Sequence, residues 1–161
     1  FSTYVWNIID TIRMADWLKR IRPETTVVLG GQEVTNTGRE FLQTYPFIDF
    51  VIDGEGEETF KELLTSLIAG HKKDIKDVPG LVKNNSEFYK KRLPIPNLER
   101  IPSPYVNFFK DEKLMHKLYR SKLGCMVETA RGCPFKCAFC FEADKYAKVR
   151  YFPESRIALY I

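Results

Sequence analysis

The sequence predicts an α/β fold. A parallel sheet covered by helices comes first, then an extended connector, then a strand that runs into a cysteine loop. Three observations predict it. Apolar runs of strand length alternate with helical patterns through residues 1–70, the signature of parallel strands joined by crossover helices. Glycine pairs fall at the ends of two of those runs, where open α/β sheets collect ligands. Three of the four cysteines crowd into one stretch, "ETARGCPFKCAFCFEADK", Glu128 to Lys145.

Each element has its own warrant. "STYVWN" is a short β-rich run. "IIDTIRMADWLKRI" places Ile8, Ile12, Ala15, Leu18 and Ile21 on one helical face, and Pro23 stops it. "TTVVLGG" is a fully apolar strand ending in Gly30-Gly31. "NTGREFLQTYP" reads as a short helix with Asn36 or Thr37 as cap and Pro46 as terminator. "FIDFVIDGEGEE" is a strand ending in the loop Gly54-Glu55-Gly56-Glu57. "ETFKELLTSLIAG" carries Phe60, Leu63, Leu64, Leu67 and Ile68 on its apolar face and Gly70 as its stop. Strands are expected near residues 2–6, 26–30 and 49–53, all parallel, with both glycine loops on one edge.

Beyond residue 70 the pattern changes. "GLVKNNSEFYKKRLPIP" reads as a hairpin around Asn84-Asn85-Ser86. Pro94, Pro96, Pro102 and Pro104 mark an extended connector, and residues 107–119 suit a short polar helix. "CMVETARGC" is a strand leading into the cysteines, and "PESRIALYI" opens a helix after Pro153.

Composition narrows the function classes. With 44% hydrophobic and 29% charged residues, the 161-residue chain reads as globular rather than disordered. No apolar run approaches the ~20 residues of a membrane helix, and no signal-peptide pattern opens the chain, so a cytoplasmic protein is expected. The net charge of +4 is uneven: residues 1–109 carry 14 basic against 15 acidic residues, residues 110–161 carry 11 against 6. The basic residues are scattered and match no nucleic-acid motif, so neither nucleic acid nor a membrane is the expected partner.

Cys133, Cys137 and Cys140 form a C-x3-C-x2-C pattern. Crowding at one end of the chain argues against disulfides and for a metal or redox site. Thiolates are soft ligands that suit iron–sulfur clusters or zinc. Three thiolates hold three corners of a cubane and leave one iron open, whereas zinc would require Cys125 as a fourth sulfur. Spacing alone leaves these readings open, together with that of unrelated thiols.

The residues around the cysteines carry a resemblance. "ETARGCPFKCAFC" resembles the radical S-adenosylmethionine (radical SAM) signature, in the ET-x-RGCP-x-x-C-x-x-C form of members with an upstream cobalamin-binding domain. The resemblance implies a [4Fe-4S] cluster on Cys133, Cys137 and Cys140, with S-adenosylmethionine on the open iron and Phe139 beside the cofactor's adenine. It implies reductive cleavage of S-adenosylmethionine for methyl transfer or ring-forming chemistry on a small-molecule substrate. An external electron donor such as flavodoxin or ferredoxin is implied too. Cys125 lies outside the motif.

The N-terminal part is similar to the flavodoxin-like cobalamin-binding domain of the same family. Ser2-Thr3-Tyr4 resembles its S-x-L element, Gly30-Gly31 its glycine pair, and "DFVIDGEGEETFKELL" its closing GEGE stretch. By that resemblance Ser2, Gly30, Gly31, Gly54, Glu55 and Gly56 are the cobalamin-side residues, with Ser2 against the buried nucleotide tail. The family's D-x-H-x-x-G loop is absent, and His71 and His116 stand where surface histidines are expected. The resemblance implies residues 1–70 as the end of the cobalamin domain, 71–122 as hairpin and linker, and 123–161 as the start of the radical SAM domain. An internal piece of a longer enzyme, inactive by itself, is therefore expected. No catalytic residue is assigned. The alternative is a zinc-stabilised, non-catalytic binding module using Cys125, Cys133, Cys137 and Cys140.

Overall fold

The computed structural model describes residues 1–70, 75, 77–84, 86, 88–105, 111–121, 126–135, 137–140 and 148–160. The chain divides into two units, Phe1–Pro94 and Ile95–Ile161. The division falls within the proline-rich connector.

The first unit is built on a four-stranded sheet in the order β1 (Ser2–Thr3), β2 (Val28–Gly31), β3 (Phe50–Ile52), β4 (Leu81–Lys83). The first three strands are parallel, as the alternation predicts. They are joined by α1 (Ile8–Ile21) and by a 3-10 turn (Gln32–Val34) followed by α2 (Gly38–Thr44). Helix α3 (Glu57–Ile68) follows β3. The strands are shorter than the apolar runs. β1 stops after Thr3 because the backbone turns at once: the Asn7 and Ile8 N–H groups both donate to the Tyr4 carbonyl at 3.0 Å.

Alternation along the strands divides the core in two. Leu29 and Val51 point to one face, where Ala15, Val27, Val34, Leu42 and Ile48 pack with them under α1 and α2. Phe50 and Ile52 point to the other, where they meet Leu63, Ile75 and Leu81. Each fully buried aliphatic side chain contributes about 1.5–3 kcal/mol. Polar groups lock the layers. Asp49 accepts from the Val27 N–H at 2.7 Å and pairs with Lys19 of α1 at 2.7 Å, so one carboxylate ties helix, β2 and β3 together.

Several expectations need correction. Ile21 does not join the buried face of α1, and Phe60, Leu64 and Ile68 of α3 are exposed, Ile68 by 82%. The sheet beneath is narrow; of the apolar residues of α3 only Leu63 is fully buried, beside the equally buried Thr59. The hairpin is also different. β4 pairs antiparallel with β3, Phe50 opposite Lys83 and Ile52 opposite Leu81. The returning segment 88–93 forms no strand among the described residues; it is held by the Gly80 N–H donating to the Lys90 carbonyl at 2.7 Å. β4 thereby occupies the edge of the sheet beside β3. The middle of the expected turn, Asn85, lies outside the described residues. Of the two cap candidates for α2, Thr37 takes the position, as one of the expected alternatives, but without a side-chain cap bond.

The second unit is smaller. Helix α4 (Glu112–Ser121) matches the polar helix expected near 107–119, of which 107–110 lie outside the described residues. A two-stranded antiparallel ribbon pairs β5 (Ala130–Arg131) with β6 (Arg150–Tyr151), and α5 (Glu154–Ala158) follows Pro153. Ile95, Leu98 and Phe152 form its buried core. Among the described residues no helix is long and apolar enough to cross a membrane.

Candidate functional site

A groove of about 720 Å³ lies in the first unit, along the face of the sheet that carries Val28 and Gly30. Register explains its floor. Ser2 lies opposite Gly30, and Gly30 lies opposite Ile52, so one row across three parallel strands points into it. Its walls are Phe1 and Tyr4 on one side and Glu57 and Phe60 of α3 on the other. Gly54 and Gly56 close the end beyond β3. The sequence-predicted Ser2, Gly30, Gly31, Gly54 and Gly56 all line this groove; Glu55 does not.

The two neighbouring glycines do different work. A Cβ on Gly30 would meet nothing closer than the Ile52 Cβ at 3.7 Å, so the fold tolerates one and the groove floor is what it would fill. Gly31 has φ +114°, and a Cβ there would lie 2.5 Å from the Thr3 carbonyl oxygen. Gly31 is thus required by the close approach of β1, in a conformation that side chains resist. Thr3 is itself fully buried and donates its hydroxyl to the Gly30 carbonyl at 2.9 Å.

Residues outside the predicted set hold the rim. The Asn7 side chain accepts from the Tyr4 N–H at 2.7 Å and donates to the Ser2 carbonyl at 3.0 Å, which fixes the turn beside the groove. Asp53, the residue after β3, accepts from the Asn36 N–H at 2.9 Å and from the Tyr89 hydroxyl. Asn36 has φ +69°, a left-handed conformation that asparagine tolerates well. Burial, and then the Asp53 carboxylate, push the Tyr89 hydroxyl pKa well above its ordinary value. An Asn at a strand-to-helix turn and an Asp before a glycine loop were the available sequence signals. Neither names its partner.

The cysteines lie in the second unit. β5 ends at Arg131, Gly132 adopts φ +97°, and Cys133 follows half-buried. Cys137 and Cys140 are exposed, in a turn closed by the Cys140 N–H donating to the Cys137 carbonyl at 2.9 Å. All three are free thiols, and Phe139 is 93% exposed. Among the described residues, no three His, Cys, Asp or Glu side chains converge as a metal-holding group. The loop supplies the donors in sequence without bringing their sulfurs together. Cys125 and His71 lie outside the described residues, and His116 is exposed on α4.

The donor chemistry fits a cubane cluster, because three soft sulfurs on one short loop suit iron–sulfur ligation. The groove fits part of a large flat cofactor, because its floor lacks a Cβ at Gly30 and its lining is mostly apolar. A parallel α/β sheet with a glycine-floored groove is consistent with a flavodoxin-like domain, and residues 1–64 match the family model described as B12 binding domain. Relatives extend the match through the cysteine loop. The 2-(S-pantetheinyl)-carbapenam-3-carboxylate methyltransferase of Streptantibioticus cattleyicolor is 36% identical over 143 residues, 86% of this chain and 21% of the relative. The cobalamin-dependent radical SAM methyltransferase TokK of Streptomyces tokunonensis is 32% identical over 161 residues, 97% of this chain and 24% of the relative. The anaerobic magnesium-protoporphyrin IX monomethyl ester cyclase of a Synechocystis strain is 27% identical over 139 residues, 86% of this chain and 28% of the relative. The chain belongs to the family of radical SAM proteins that carry a cobalamin-binding domain. It spans about a fifth to three-tenths of the length of these relatives.

Proposed function

We propose that the chain is part of an enzyme that cleaves S-adenosylmethionine reductively at a [4Fe-4S] cluster and uses cobalamin, for methyl transfer or ring-forming chemistry on a small molecule. The observation that carries this is the thiol triplet Cys133, Cys137 and Cys140 behind Arg131-Gly132, in a chain whose first part matches the B12 binding domain. The relatives named above, methyltransferases and a cyclase, support the same reaction classes. On this reading residues 1–70 complete the cobalamin domain and 123–161 begin the radical SAM domain.

Cys133, Cys137 and Cys140 would hold the cluster, and Phe139, exposed on the same loop, would lie against the adenine of S-adenosylmethionine. Ser2, Gly30, Gly31, Gly54 and Gly56 would receive the cobalamin tail, with Phe1, Tyr4 and Phe60 excluding water from it. When bound, these groups supply one-electron cleavage of the sulfonium's carbon–sulfur bond and carriage of a methyl group. The protein's part is orientation: Asn7 fixes the Ser2–Tyr4 backbone, and Asp53 fixes the turn at Asn36. Electrons would come from an external flavodoxin or ferredoxin, in the cytoplasm.

The test is anaerobic reconstitution with iron and sulfide of the wild type and of single alanine variants at Cys125, Cys133, Cys137 and Cys140. Iron, sulfide and absorption near ~400 nm are measured. Cluster loss on replacing Cys133, Cys137 or Cys140, with Cys125→Ala unaffected, is the expected result. Equal loss with Cys125→Ala, or one zinc per chain without iron, favours a closed four-sulfur site and sinks the radical reading.

A further inference from the structure

The cysteine loop hangs from a ribbon too short to hold itself. β5 and β6 share only two residue pairs, Ala130 with Tyr151 and Arg131 with Arg150, and the whole thiol loop lies between them. An isolated ribbon of that length is not stable in water. Side chains make up the difference. Arg131 donates through Nε and an η nitrogen to the two oxygens of Glu128, at 2.9 and 3.0 Å, a bidentate fork. Its guanidinium lies over the Phe152 ring, 5.8 Å from the centroid, and that of Arg156 lies over the same ring at 4.4 Å. Phe152 is buried, and its N–H extends the ladder by donating to the Thr129 carbonyl at 3.0 Å. Arg150 and Arg156 anchor the stem by donating to the Ile95 and Ile101 carbonyls at 2.7 and 2.5 Å.

Three features set Arg131 apart. It is the last residue of β5, two places before Cys133. Its side chain is only 17% exposed although the loop beyond it is open. It is held from below by a carboxylate and from the side by an aromatic ring, so both its direction and the take-off of Gly132 are set. The geometry points to Glu128, Arg131 and Phe152 as positioning residues for the thiolate loop. They prepare the stem so that the sulfur of Cys133 enters the ligand set from a defined place. This rests on the reading that the three cysteines hold a cluster. A lysine at 131 keeps the charge but cannot reproduce the fork.

The test uses the native protein as wild type, Arg131→Lys, Arg131→Met and Glu128→Gln, reconstituted anaerobically with limiting iron and sulfide. Three quantities are read: iron retained per chain, the melting of the apoprotein, and the electron paramagnetic resonance spectrum of the reduced cluster before and after S-adenosylmethionine. For Arg131→Lys the expected outcome is near-wild-type melting, about tenfold weaker iron retention, as for other outer-shell partners of metal sites, and a lost or broadened spectral response to S-adenosylmethionine. Glu128→Gln, which keeps one bond of the fork, should fall between. If Arg131→Met does not fold, the lysine variant decides. Wild-type iron retention and spectral response in Arg131→Lys and Glu128→Gln would overturn the inference and leave the cluster reading intact. A wild type that takes up no iron and sulfide overturns both.

Discussion

Gly30 and Gly31 are adjacent and chemically identical, yet opposite outcomes are expected from the same change. Gly31→Ala must accept φ +114° and a Cβ 2.5 Å from the Thr3 carbonyl oxygen. Backbone strain of ~1–3 kcal/mol adds to overpacking of similar size. Urea denaturation should show a loss of about 2–5 kcal/mol. Gly30→Ala has room, so its stability should be unchanged or raised by up to about 1 kcal/mol. The same variant of the native protein should bind hydroxocobalamin at least ~10-fold more weakly, since 1.4 kcal/mol of lost contact suffices. If Gly30→Ala binds like wild type, the groove is not the cobalamin seat. Tyr89 provides a pH test. Its folded-state pKa is raised, by burial first and then by Asp53, so the unfolded chain ionises first as pH rises. The stability that Tyr89 contributes is therefore full below about pH 10, the unfolded value, and falls above it. Tyr89→Phe should cost about 1.5–3 kcal/mol at pH 7, the range for a hydrogen bond to a charged group, and its deficit against wild type should shrink above pH 10. A constant deficit would show that the Tyr89–Asp53 bond is not formed.

At the scale of elements, α2 tests packing against propensity. Gly38 opens that helix, and a Cβ there would lie 2.9 Å from Val51 Cγ1 and 3.2 Å from Val82 Cγ2. Replacing glycine by alanine in a helix normally gains ~1 kcal/mol. Forcing a methyl against two buried β-branched residues costs ~1–3 kcal/mol, because valine has little rotamer freedom with which to give way. Packing should win, and Gly38→Ala should lower the urea midpoint. A raised midpoint would mean that α2 can lift from β3 and β4 without penalty. The helix bounds were plain in the sequence: the periodic run at residues 8–21 and the helix Ile8–Ile21 coincide. Burial within the helices was less plain. Periodicity says which residues share a face; it does not say how wide a sheet lies beneath them. Ile21 and Ile68 sit at the ends of good apolar stripes and still face outward.

For the whole molecule, the division at Pro94 carries a prediction. The sheet, its two cores and the groove lie within residues 1–94, so that segment alone should melt cooperatively. Its helical circular dichroism should match the helices α1, α2 and α3. Loss of the transition would mean that the first unit depends on the second for its core. The second unit has a smaller core, Ile95, Leu98 and Phe152, and relies on arginine side chains bonded to backbone carbonyls.

Much of this protein was determined by local sequence. The strand–helix alternation set a parallel sheet, because apolar strands and amphipathic helices of these lengths have few other ways to bury their faces. The glycine pairs marked the groove, since register alone carries Ser2, Gly30 and Ile52 into one row once the strands are parallel. The thiol triplet is a contiguous pattern and needs no fold to be seen. What tertiary structure decided are the pairings between residues far apart in the chain. The β3–β4 edge, Asp49 with Lys19, Asp53 with Tyr89 and Asn36, and Arg131 over Phe152 all belong to this class. An aspartate or arginine carries no periodicity, and its partner is chosen by which backbone and side-chain groups packing leaves within reach.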